Sequence, residues 1–371
     1  MSRSQLAIAI AVGVASAVAA VLRRRKQRRQ PVFLFFGEAF VDVMVSGLNK
    51  LPEWNKDILT EQPIQLQAGG SALNTAVHLA AAGSGAVELR TATAADDFGR
   101  LLVGEGRRRG VDVVQLEVRG GSAALGTGCC VVLSGCDDRA FATHRGVADA
   151  MCISQADVDA AVAVGRRGGH VHVAGYYNCG RLQAGVPRLL LAARAAGAVT
   201  SLGTQTDALD EWAGLVNTPL LAECLDFLIV SEDEAYGIAS VNGLVPRDGA
   251  TGPVHARAVA TALLRAEVSR CVVVTRGAAG ALLVSAKTYL EQPAPRASCV
   301  TDATGAGDAF IAGFLHGYRE QPGSLRTALR YGCAFGACCV AVVGASAPLD
   351  GKEIQAAFEA TFDADAPDAT L

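Results

Sequence analysis

Short runs that are apolar on both faces, alternating with segments of helical period, constrain this chain most. "VFLFFGEAFVDVMV" (32–45), "TGCCVVLSG" (127–135), "HVHVAGYY" (170–177), "CLDFLIVS" (224–231) and the pair "CVVVTRG" and "GALLVSA" (271–286) read as strands. Between them "GGSALNTAVHLAAAG" (69–83), "AGVPRLLLAARAAGA" (184–198) and "HARAVATALLRAEV" (255–268) read as helices, and two more close the chain near 308–319 and 324–342. A strand without a polar face must be covered on both sides, and crossover helices do this for parallel strands. The pattern therefore predicts an α/β fold around a mostly parallel sheet.

With 371 residues, 51% hydrophobic and 19% charged, the composition is that of a globular protein. Seven basic residues (Arg3, Arg23, Arg24, Arg25, Lys26, Arg28 and Arg29) precede the first acidic one, Glu38. Taking those seven charges from the formal net of -3 leaves -10 for residues 38–371. So acidic a body argues against nucleic acid as its partner. The eleven cysteines include no CxxC pair and read as small buried hydrophobes in a reducing compartment.

Residues 1–30 stand apart. "LAIAIAVGVASAVAAVL" (6–22) carries no charge and is followed by "RRRKQRRQ". As a helix it would reach roughly 26 Å, the short end for a bilayer crossing. Three targeting readings compete: an anchor whose basic flank keeps the body on the cytosolic side of a membrane, an Arg-rich transit peptide that delivers it to an organelle matrix or stroma, and, least favoured because the basic residues follow the apolar run, a secretory signal. The anchor is the expectation, because the run lacks the alternating basic face of a presequence. The tail, 361–371, reads as frayed.

"TDATGAGDAF" (301–310) carries the chemistry. Phe310, Ile311, Phe314, Leu315 and Tyr318 recur at helical spacing after it, so its glycines sit at a helix amino terminus. Unpartnered N–H groups and a positive dipole end make such a place suited to phosphate, and glycine lets the backbone approach it. A carboxylate there, Asp308, either complements the dipole or acts as a general base toward a hydroxyl attacking phosphorus. No GxxxxGK[ST] is present, which excludes a P-loop enzyme, and no full GxGxxG.

"DATGAGDAFIAGF" resembles the carboxy-terminal signature of the ribokinase-like sugar kinases, the phosphofructokinase B family, and departs from it only at Ala303. "GGSALNTAVHLAAAG" is similar to the family's other signature; "AADDFG" (94–99), "VVVTRGAAG" (272–280) and "YGCAFGACCVAVVGA" (331–345) match further stretches in order. The resemblance covers about residues 32–355 and implies one ribokinase-like domain over 31–360. Its central, mostly parallel sheet would be flanked by helices, with a small β-sheet lid from about 42–66 and 113–147.

The resemblance implies an ATP- and magnesium-dependent kinase of a small sugar such as ribose or fructose. A nucleoside kinase of the same fold and a catalytically idle, membrane-tethered member are the alternatives. Asp308 would be the base and the N–H groups of Gly305, Ala306 and Gly307 the anion hole. Asp42, Gly69, Gly70 and Asn74 would hold the sugar; Thr275, Gly277 and Gly280 would face the nucleotide. Asp302 and Thr304, completed by "VGAS" (343–346), would take a monovalent cation such as K+. In "SEDE" the family's metal-organising glutamate is kept as Glu234, but Ser231 replaces the usual asparagine, and a water beside its shorter hydroxyl would weaken nucleotide or metal contacts. Pairing through lids implies a homodimer.

Three further features carry less. His170 and His172 read as a strand edge near the sugar site, since two histidines without a third ligand make a weak metal site. Arg107, Arg108 and Arg109 read as a solvated turn, and Arg276 as a phosphate partner or a solvated side chain.

Overall fold

The computed structural model describes residues 32–120, 125–135, 139–216, 218, 221–249 and 251–361. The apolar segment 6–22 with its basic flank and the tail beyond 361 lie outside them. No described helix is long and apolar enough to cross a membrane.

The described residues form a nine-stranded sheet. Its spatial order is Tyr289–Gln292, Ala281–Ser285, Cys271–Thr275, Phe227–Ser231, Val199–Gly203, His170–Val173, Phe33–Phe36, Val87–Thr91 and Val111–Gln115. The pairings from Cys271–Thr275 to Val111–Gln115 are parallel; the other two strands close one edge as antiparallel hairpins. The interior strands Phe33–Phe36, His170–Val173 and Phe227–Ser231 are buried almost throughout, as their unbroken apolar runs require. Two cores result, one on each face. Leu34, Phe36, Val171 and Leu228 face one, while Phe33, Phe35, Phe227 and Ile229 face the other with Phe314 and Phe335.

A second sheet of four strands, in the order Gln65–Gly69, Phe40–Leu48, Cys129–Gly135 and Arg139–His144, is built from the region expected to form the lid. The run 32–45 therefore divides between the two sheets. The break is at Gly37, where a Cβ would lie 2.3 Å from the Ala174 carbonyl oxygen, so only glycine lets the chain turn there.

Several expectations need correction. His170 and His172 lie on an interior strand, not an edge: both rings share the Ser201 hydroxyl at 2.7 Å, and burial lowers both to about 3, so they are neutral core groups. Arg107 and Arg108 end the Asp97–Arg108 helix, and Arg109 folds back, 13% exposed, onto Glu105 and the Ser346 carbonyl. Arg276 is not solvated: its side chain is 6% exposed, with Nη1 3.8 Å from Glu291. A third helix, Gly351–Ala360, follows the Ala306–Glu320 and Leu325–Cys339 helices. Asp350 caps it, and Phe358 stacks on Tyr331 with centroids 4.0 Å apart.

Candidate active site

The carboxyl ends of the parallel strands meet the amino ends of the helices along one side of the large sheet, which is where open α/β folds place their sites. Glu38, Gly175 and Gln205 each follow such a strand end, and Ser231 and Thr275 end neighbouring strands as register partners.

Asp308 lies in the first turn of the Ala306–Glu320 helix and is 6% exposed. Gly305 caps that helix with φ 79°, and a Cβ there would sit 2.5 Å from the Ala345 carbonyl oxygen, so both conformation and space demand glycine. Around Gly307 a Cβ would meet nothing within 4 Å, so the space beside this first-turn residue is open. The Ala306 N–H donates to the Ala303 carbonyl at 3.3 Å in a turn, so its part in an anion hole requires that contact to give way.

Three side chains donate to Asp308: Ser71 Oγ to Oδ1 at 2.7 Å, Asn74 Nδ2 to Oδ2 at 2.8 Å and Gln205 Nε2 to Oδ1 at 3.2 Å. Burial pushes the carboxyl up to about 6, against the opposing pull of the Asn74 and Ser71 bonds. Two more carboxyls share its surroundings. Glu38 is 1% exposed and pushed up to about 7, by burial first and partly by the charge of Asp308, although the Ser71 N–H donates to its Oε1 at 3.1 Å. Asp42 is likewise pushed up to about 7 by burial and then by Asp308. Its carboxylate lies across Gly69, where a Cβ would be 2.0 Å from Oδ2. Gly70 opens the Ser71–Ala81 helix with φ 89°, packed against the backbone of Glu38, Ala39 and Phe40.

Asn74, expected beside the sugar, directs its amide nitrogen to Asp308, and its Oδ1 is buried without a partner. Ser231 caps the Glu232–Val241 helix: its hydroxyl accepts from the Glu234 N–H at 3.2 Å, and Glu234 Oε2 accepts from the Ser231 N–H at 3.0 Å. The Ser231 hydroxyl is thus engaged by its own helix. Thr204 Oγ1 also donates to Glu234 Oε2, at 3.0 Å. Both bonds fall on Oε2, so Oε1 suits a metal-bound water or an ion.

Gly277 is exposed at φ 52°, with open space at its Cβ position. Gly280 is buried, and a Cβ there would lie 2.0 Å from the Gln292 carbonyl oxygen, so it serves chain packing. Asp302 Oδ1 accepts from Thr304 N at 2.9 Å and from Thr304 Oγ1 at 2.6 Å, while Oδ2 accepts from Gly344 N at 3.0 Å. The resemblance implies that Asp302 and the 343–346 turn meet, and the Gly344 N–H joins them. Sequence reasoning missed Glu38, Ser71 and Gln205. Ser71 lies inside the 69–83 motif and Glu38 in the 32–45 run four positions before Asp42, whereas nothing in the sequence around Gln205 points to its position.

The pattern of the pfkB family carbohydrate kinases matches residues 36–352. Among curated proteins no sequence matches. Several solved structures share the fold. The Arabidopsis thaliana ribokinase complexed with ribose and ATP aligns with a TM-score of 0.68 at 21% identity, covering 89% of this chain and 99% of that one. The Cryptococcus neoformans ribokinase in complex with ADP gives 0.69 at 22%, and the Sinorhizobium meliloti adenosine kinase 0.69 at 20%, each over 89% and 99% of the two chains.

Proposed function

Because the chain belongs to the pfkB family of carbohydrate kinases, and is thus a phosphotransferase acting on a sugar or nucleoside hydroxyl, we propose that it moves the γ-phosphoryl group of ATP to a hydroxyl of a small sugar. The observation that carries this reading is the pair Asp42 and Asp308: Asp42 lies against Gly69, Asp308 accepts from Ser71 just beyond Gly70, and the charge of Asp308 raises Asp42. Asp42 accepts from two sugar hydroxyls and fixes the ring. Asp308, tuned toward neutrality by burial, takes the proton of the attacking hydroxyl. The amino end of the Ala306–Glu320 helix faces the negative charge on the transferred group.

Glu234 suits magnesium, which sites of this kind hold by one carboxylate, waters and substrate phosphates; the ion would neutralise charge on the phosphates. A monovalent cation is proposed for the Asp302–Thr304 loop, with oxygens from that loop and the 343–346 turn, where it would steady the helix end. Thr275 and Gly277 are proposed to face the nucleotide.

A second reading, a nucleoside as acceptor, has its own support. On the face of the small sheet that carries Asp42, the row Gln67, Asp42, Cys130 and Thr143 is polar. The next row, Gln65, Met44, Val132 and Phe141, leaves Phe141 58% exposed, an aromatic surface on which a base could stack. Phosphoryl transfer by the full chain against panels of sugars and nucleosides decides between them; transfer to neither would sink the proposed activity.

We propose also that segment 6–22 tethers the protein with its body in the cytosol. Its basic flank supports this, and a soluble form beginning near residue 30 after carbonate extraction would point to import instead. Leu51, Ile64 and Leu66, exposed on or beside the small sheet, support pairing of two copies there; sedimentation of the full chain as a monomer would exclude it.

A further inference from the structure

We propose that Gln205 is a positioning residue for the base: its side-chain amide holds Asp308 and Ser71 in register, favours the ionised carboxylate, and ties the acceptor half of the site to the donor half.

Gln205 follows the Val199–Gly203 strand by two residues and has φ 59°, a left-handed conformation that a glutamine adopts only when its surroundings hold it there. The bend puts Nε2 3.1 Å from Ser71 Oγ and 3.2 Å from Asp308 Oδ1. Ser71 in turn donates its hydroxyl to the same Oδ1 and its N–H to Glu38. The preceding residue faces the other way: Thr204 Oγ1 donates to Glu234 Oε2 at 3.0 Å, and the Thr204 carbonyl accepts from the Tyr177 N–H at 3.2 Å. Two adjacent residues thus touch the proposed base and the proposed metal-side carboxylate.

The charges around Asp308 explain why an extra donor matters. The carboxyls of Glu38, Asp42 and Glu234 and the thiol of Cys339 all sense its charge. Among the described residues hydrogen-bond donors, not a cation, oppose the cost of ionising it. An amide N–H cannot lose its proton to the carboxylate, so Gln205 stabilises the ionised form without competing for the substrate's proton.

The inference rests on Asp308 being the base, and its test separates the two ideas. Gln205→Met keeps the length of the side chain and removes the amide; Gln205→Gly removes the amide and relieves the left-handed backbone, which guards against a variant that merely fails to fold. Asp308 is titrated by carboxyl carbon NMR in the full chain without ligand, its signal identified by loss in Asp308→Asn, and kcat is measured against pH. Both variants should raise the Asp308 midpoint by about one pH unit. They should lower kcat roughly tenfold below that midpoint and restore much of it above, since one unit is a factor of ten in ionised base. An unmoved midpoint in both variants, or an equal loss of kcat at every pH, overturns the proposal. A shifted midpoint in a protein that phosphorylates no acceptor upholds the Gln205 contact while removing the kinase reading.

Discussion

Ser71 Oγ lies 2.7 Å from Asp308 Oδ1, although the two residues are 237 positions apart in the chain. Ser71 is the first residue of the helix that follows the Gly69–Gly70 turn and Asp308 lies in the first turn of the helix capped by Gly305, so the contact joins the two glycine-rich turns of the site.

Asp308→Asn should lower kcat by about 10²–10⁴-fold, the usual contribution of a general base, and leave acceptor affinity nearly unchanged. In the wild type kcat should fall as pH drops through about 6, where the buried Asp308 carboxyl takes up its proton. Steady-state kinetics from pH 5 to 8 measure both; retention of a tenth of the activity in the Asn variant would remove Asp308 from the mechanism.

Asp42→Ala should weaken acceptor binding by about 1.5–3 kcal/mol, the range for hydrogen bonds to a charged group, with ATP affinity little changed. Calorimetric titration of each ligand separates these effects. Equal losses for both would mark a folding defect.

Glu38→Gln should make the protein more heat-stable at pH 8 and flatten its dependence on pH. Glu38 ordinarily titrates near 4.5 and is pushed up to about 7 in the fold, so the folded state binds its proton more tightly than the unfolded chain does. That contribution is complete below 4.5 and is lost as pH rises through 7. Melting curves at pH 5.5 and 8 test this: the wild type should lose more stability than the variant between them, with Asp42, Asp308 and Glu234 contributing to the dependence that remains.

Gly175→Ala should prevent a stable fold. Gly175 has φ 61°, and a Cβ there would fall 1.6 Å from Glu38 Oε2, a carboxylate buried on all sides. A variant melting within a few degrees of the wild type would show that Glu38 can move aside.

Ser231→Ala should cost about 1 kcal/mol, the usual loss on removing a helix cap, and should loosen Glu234, whose carboxylate answers the cap. Denaturant unfolding reads the first effect. The second should raise the magnesium concentration needed for half-maximal activity, and an unchanged requirement would separate the cap from the metal.

The class of fold and the chemistry of the two glycine-rich turns can be read from the residues alone. Short continuous apolar runs such as 227–230 suit strands covered on both faces, and the 301–310 stretch shows in its own spacing a helix amino terminus with a carboxylate in the first turn. These follow from period and backbone freedom, which act over a few bonded neighbours. Tertiary structure alone decided what meets Asp308. The order of strands in the sheet brings the ends of Phe33–Phe36, His170–Val173 and Val199–Gly203 side by side, and so delivers Glu38, Gly175 and Gln205 to one place. Nothing local marks Gln205, because its role depends on a bend of its own backbone and on a carboxylate 103 positions away. The same holds for Gly37, where the strand-like run 32–45 breaks because the Ala174 carbonyl occupies the space a side chain would need. Through-space packing between distant strand ends leaves no trace in the period of either one.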